Sequence, residues 1–187
     1  MNKEHTVMKE DLGDVTAPGT LRFERLLPVG IHRAWAHLVE PELRAHWLAG
    51  GAMGTQPGDA FELLFDHTAL SGEQAPERFK QFRAPVSQAS RVLQMEEPHL
   101  LVLAWRNDAN GPGGSEARFE LTAQGDKQTA LHLTHSGLRG VAETRDVAAG
   151  WHAHLGVLLD VLHGRIPRPF WSHLDKVAAE YEASITE

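Results

Sequence analysis

The sequence predicts one α+β domain, a curved antiparallel sheet wrapped around a long helix near the carboxyl end, and three observations predict it. Short segments with an apolar residue at every second position follow one another between turn residues, as in Phe61, Leu63 and Phe65 or Ala117, Phe119 and Leu121. After Gly137 the period changes to that of a helix, with Val147, Trp151, Leu155, Leu158 and Leu162 on one stripe. Helices do not alternate with strands, which excludes a parallel doubly wound sheet and leaves the helix stripe to cover the strand faces.

Residues 1–19 are polar, lack periodicity and contain Gly13, Pro18 and Gly19, so they read as a flexible tail or a loosely docked arm. Residues 20–164 then form the domain. Leu21 to Leu27 alternates as a strand that Pro28 ends. Ile31, Ala34, Trp35 and Leu38 recur at helical spacing, and Pro41, tolerated in a first turn, opens a second short helix over Glu42 to Leu48. A breaker-rich run with Gly50, Gly51, Gly54, Pro57 and Gly58 leads into a strand over Asp59 to Asp66. The polar stretch Ser71 to Arg83 reads as a long loop and candidate cavity lid, with disorder or a short helix as the simpler account.

Strands are expected over Arg91 to Glu96 and Leu100 to Arg106, joined by Glu97-Pro98-His99, then over 117–121 and 129–135. Turns at 107–114 and 125–128 make this a meander of hairpins. Thr144 is the expected N-cap of the long helix, which Gly164, Pro167 and Pro169 terminate. In the extension over residues 165–187, Phe170, Leu174, Val177, Ala178 and Tyr181 predict a further amphipathic helix. That helix either packs back on its own domain or, with Trp171, offers an apolar surface for a homodimer.

A formal charge of −7 supplies no basic field for nucleic acid or an anionic membrane surface. There is no cysteine, hence no disulfide and no thiolate chemistry, and no run of apolar residues is long enough for a spanning helix. The expectation is a soluble, cytoplasmic protein.

The twelve histidines raise the question of a metal; spacing argues against one within a single element and leaves open a cross-element pair such as His135 with His154. His152 and His154 are two apart on a helix and point in different directions; His132 and His135 are three apart on a strand and point to opposite faces. One of the latter pair must face inward. No metal and no cofactor is expected, since H-E-x-x-H, G-x-G-x-x-G and P-loop patterns are all missing. No nucleophile elbow positions a serine, so no catalytic residue is assigned. Arg22, Arg91, Arg106 and Arg118 lie on expected strands, where an inward arginine would bind a ligand carboxylate.

Three groups of residues carry a resemblance. Pro28, Ala34-Trp35, Leu38, Pro41-Glu42-Leu43 and Trp47 form the first; Glu97-Pro98, Leu100 and Trp105 the second; Gly150-Trp151, Leu155, Leu158, Leu162 and Gly164 the third. In this order they resemble the START-like (SRPBCC) superfamily, and within it the domains related to the activator of the heat-shock-protein-ninety ATPase. The resemblance implies the helix-grip fold and a ligand space between sheet and helix, bordered by Trp35, Trp47, Phe61, Leu63, Phe65, Trp105, Phe119, Leu121, His135, Trp151, His154, Leu155 and Leu158. The function it implies first is noncatalytic binding of a small apolar or amphipathic molecule. A chaperone-regulating interaction module is the alternative, and a cyclase- or hydratase-like enzyme using a cavity histidine is the third reading. The Ser71 to Arg83 insertion and the 165–187 extension depart from the family pattern.

Overall fold

The computed structural model describes residues 11–105 and 114–186. Among them the alternating segments become strands β1 (Asp14–Ala17), β2 (Thr20–Leu27), β3 (Ala60–Phe65), β4 (Val86–Glu96), β5 (Leu100–Ala104), β6 (Glu116–Ala123) and β7 (Thr129–Ser136). All neighbouring pairs are antiparallel, in one sheet ordered β1-β2-β7-β6-β5-β4-β3. Register opposes Phe23 to Leu133 and Leu133 to Phe119, so the apolar alternation of three strands meets on one concave face.

Two strands differ from expectation. Strand β4 begins at Val86 rather than Arg91, because the polar run Ser87-Gln88-Ala89-Ser90 pairs with β3 although its own pattern carries no strand signal. Strand β1 lies inside the segment expected to be a tail, where Val15 pairs with Leu21 and the Gly13 N–H donates to the Tyr181 hydroxyl at 2.8 Å. Arg106 and the turn expected after it lie outside the described residues, up to residue 113.

The helices are α1 (Ile31–Val39), α2 (Pro41–Ala45), α3 (His67–Ser71), α4 (Gly140–Leu162) and α5 (Phe170–Ser184), with a 3₁₀ segment over Glu77–Arg83. The insertion therefore holds a short helical segment. Helix α4 starts a turn before Thr144, which is no N-cap; its hydroxyl donates back to the Gly140 carbonyl at 2.8 Å. Its other end is as expected, with Gly164 at φ +67° just past the last turn.

The connection after α1 is held by one buried cation. Arg44, 1% exposed, donates to the carbonyls of Leu38, Val39, Ala49 and Gly50 at 2.9–3.2 Å and also to that of Gly51. Burial lowers its pKa to about 10, which still leaves it charged. Trp47 completes the connection, its indole N–H donating to the His37 carbonyl at 2.8 Å.

Helix α4 lies between the concave sheet and α5, and is buried on both sides. The sheet side carries Trp151, Leu155 and Leu158; the other carries His152, Gly156 and Asp160. A Cβ on Gly156 would meet the Arg168 guanidinium at 2.9 Å, so glycine makes the room for it there. Arg168 reaches Asp160 with Nε at 2.7 Å, Nη2 at 2.9 Å and its backbone N–H at 3.0 Å. The apolar face of α5, with Phe170, Trp171, Leu174, Val177 and Tyr181, is buried within its own chain. The surface that motivated the dimer expectation is thus covered internally.

Desolvation acts to raise the Asp160 pKa, but the hydrogen bonds and charge of Arg168 outweigh it, and the net shift is downward. A lowered carboxylate pKa contributes stability above the unfolded value and loses it as pH falls through the folded one. Because Arg168 is partly exposed, Asp160→Ala is expected to cost about 2 kcal/mol at neutral pH, between the values for surface and buried pairs. In urea denaturation the difference from the parent protein should shrink as pH drops below about 3.9.

Candidate functional site

Strand β3 ends at Phe65, and the Asp66 carboxylate accepts the Thr68 N–H at 3.2 Å to start α3. This turn sets the imidazole of His67 5.5 Å from that of His154 on α4, centroid to centroid. Beside the pair lies a mostly apolar cavity of about 210 Å³, partly open to solvent. Its walls are Phe65 and His67, Phe82 of the 3₁₀ segment, Val86 and Gln88 of β4, Trp105 after β5, and Val147, Gly150, Trp151 and His154 of α4.

Trp105 and Trp151 pack with ring centroids 4.6 Å apart, and Trp151 meets Phe119 edge-on at 5.6 Å. The Trp151 indole N–H donates to Nδ1 of His135 at 2.8 Å. An indole only donates, so Nδ1 accepts and the neutral His135 ring carries its proton on Nε2. His135 is the inward histidine of its strand, fully buried; His132 faces outward, 3.7 Å from Glu24. The Gln88 amide N–H donates to the Trp105 carbonyl and fixes that wall.

His154 is held differently. Its Nδ1 lies 2.8 Å from the Trp47 carbonyl, which only accepts, so the proton sits on Nδ1 and Nε2 keeps the lone pair. Burial, with the neighbouring His67 adding to it, pushes its pKa down to about 3. His67 is lowered to about 4 by burial, against a small opposing effect of Asp66. Its Nδ1 is buried without a hydrogen-bond partner. Four other rings surround it: Phe82 at 5.0 Å, Phe170 at 5.1 Å, Trp171 at 5.2 Å and Phe65 at 5.8 Å.

The insertion and the extension build this wall together. The Glu73 carboxylate accepts the N–H groups of Trp171 at 2.8 Å and Ser172 at 3.0 Å and the Ser172 hydroxyl, capping α5. Desolvation opposes ionisation of Glu73, yet these hydrogen bonds leave its pKa lowered. The Phe170 N–H donates to the Ser71 hydroxyl at 3.0 Å, Arg78 pairs with Asp175, and Phe79 stacks on Trp171 at 5.1 Å.

Of the residues taken from the sequence, Phe65, Trp105, Trp151 and His154 line the cavity. Phe61, Leu63, Phe119, Leu121, Leu155 and Leu158 pack in the continuous core, as do Trp35 and Trp47, and His135 sits behind Trp151. His67, Phe82, Val86, Gln88, Val147 and Gly150 were not reached from the sequence as cavity residues. Gly150 stood in the Gly-Trp pair of the helix motif and Val147 on the apolar stripe; the others carry no local signal. Arg22 and Arg118 pair with Glu24 and Glu120 on the outer face, and among the described residues no arginine lines the cavity. Among the described residues no group of histidines and carboxylates is placed to hold a metal.

The profile of activator of Hsp90 ATPase homolog 1-like proteins matches residues 28–163. The chain belongs to this family. A family relative from Bordetella parapertussis, solved by solution NMR, is 43% identical, with 95% of this chain and 93% of that chain covered at a TM-score of 0.79. Helix α5 lies beyond the matched residues, yet this relative's coverage extends to nearly the whole chain. CalU16 from Micromonospora echinospora, 20% identical over 95% of this chain and 96% of that one, shares the fold at a TM-score of 0.64. DynU16, a protein of the dynemicin biosynthetic locus, is 17% identical at a TM-score of 0.62, covering 81% of this chain and 50% of that one. No curated protein matches the chain. Among the described residues no helix is long and apolar enough to cross a membrane.

His67, His152 and His154, with pKa values of about 4, 3 and 3, stay neutral in the folded chain between about pH 6.5, where an unfolded histidine takes up its proton, and about pH 4. The unfolded state then binds more protons, so stability falls with falling pH across that window. His67→Phe is expected to reduce proton uptake on unfolding at pH 5 by about one, read from the slope of stability against pH.

Proposed function

We propose that the protein is a noncatalytic binding domain that takes a compact apolar or aromatic molecule into the cavity beside Trp105 and Trp151. The observation that carries this reading is the space itself. An engineered apolar cavity of about 150 Å³ binds benzene, whereas sites for drug-sized ligands start near 300 Å³. At about 210 Å³, the cavity suits one substituted ring better than a long acyl chain.

The histidines favour binding over proton transfer. A general base works best with a pKa near the operating pH, and imidazoles at about 3 and 4 are too weakly basic for that at neutrality. Their neutrality also keeps the cavity uncharged, as an apolar guest requires.

Gly150 provides the test. A Cβ built on it meets nothing within 4 Å, and the residue lies in the cavity wall on α4. Gly150→Leu should fill the space and abolish calorimetric binding of toluene while leaving the circular dichroism of the parent. Gly150→Ala should raise stability by up to about 1 kcal/mol through helix propensity. Parent protein that gives no heat with toluene, or a Gly150→Leu variant that binds it unchanged, would contradict the proposal.

A further inference from the structure

Resting on that reading, the geometry points to an uncharged aromatic ligand bearing a hydroxyl group, recognised by the imidazoles of His67 and His154. The first observation is a polar atom with nothing to satisfy it. Nδ1 of His67 is buried without a partner, on a side chain only 7% exposed that lines the cavity. Buried polar groups are nearly always hydrogen-bonded, so His67 is a wall ring whose polar needs the chain itself does not meet.

The second observation is the fixed tautomer next to it. With Nδ1–H committed to the Trp47 carbonyl, His154 offers only an acceptor, its Nε2 lone pair. A neutral His67 carries one N–H and one lone pair. A hydroxyl is the small group that answers both, donating to His154 and accepting from His67. Ring centroids 5.5 Å apart leave room for one oxygen to reach both rings at ordinary hydrogen-bond lengths. Of the other polar wall groups, Gln88 donates an amide N–H to the Trp105 carbonyl and the Trp151 indole N–H is taken by His135.

Charge decides against the other polar ends. Among the described residues no lysine, arginine, aspartate or glutamate lines the cavity, so a carboxylate or ammonium would find no counter-charge among them. The aromatic walls then hold the ring, and Trp47 acts as a positioning residue through its carbonyl.

Isothermal titration of the intact chain at pH 7.5 with p-cresol, toluene, p-toluate and benzylamine separates these terms. The expected result is p-cresol binding about tenfold tighter than toluene, with both ions weaker than toluene. His67→Phe, which keeps an aromatic ring, should bind toluene and lower the cresol-to-toluene ratio to near one. Equal affinities of p-cresol and toluene in the parent protein would overturn the hydroxyl assignment while leaving the cavity intact. Tighter binding of p-toluate or benzylamine than of p-cresol would overturn the requirement for an uncharged ligand. Binding of none of the four would bring down the cavity reading itself. The parent comparison decides even where the variant does not fold.

Discussion

Helix α4 is buried on both sides, and that constraint organises the rest of the molecule. From Trp151 to Asp160 the double cover leaves the polar side chains no solvent face, so each one needs a partner from another element. Trp151 finds His135 on β7, His154 finds the Trp47 carbonyl after α2, His152 meets the Tyr181 hydroxyl on α5, and Asp160 holds Arg168 before it. Those four bonds join the sheet, the α1–α2 connection and α5 to one rod. Arg44 and Trp47, which tie that connection together, are thereby coupled to the cavity wall, because the carbonyl that sets the His154 tautomer belongs to the segment they hold.

The same packing explains where the space lies. Toward its carboxyl end α4 fills the sheet with Leu155, Leu158 and Leu162, whereas one turn earlier Gly150 withholds a side chain between Val147 and Trp151. Phe65, Phe82 and Trp105 close the sides there without closing the volume. The insertion and the extension are one structure rather than two additions. Glu73, Ser71 and Arg78 of the first bond to Trp171, Ser172, Phe170 and Asp175 of the second, and both place aromatic rings against His67.

Strands such as β3 and β6 were legible because half-buried sheet imposes period two on apolar residues, and Phe61, Leu63 and Phe65 obey it. Only one face of α4 was legible. Its second buried face carries His152, Gly156 and Asp160, residues that in isolation read as solvent-facing, and only pairing with Tyr181 and Arg168 makes them interior. The cavity was half legible for a related reason. Trp105, Trp151, Phe65 and His154 stand in recognisable motifs or stripes, but His67 follows a strand with no pattern of its own, and Phe82 sits in a segment whose polarity hides it. Their positions depend on α5, about a hundred residues later in the chain, a separation no local window spans.

The account stands on a guest sitting between the tryptophans and α4, which isotope-filtered NMR reads without a mutation. Cross-peaks from unlabelled toluene to the side-chain protons of Trp105, Trp151 and Phe82 and to the Gly150 α protons of labelled protein are the predicted result. Cross-peaks confined to exposed residues such as Ile166, or none at saturating toluene, would contradict it.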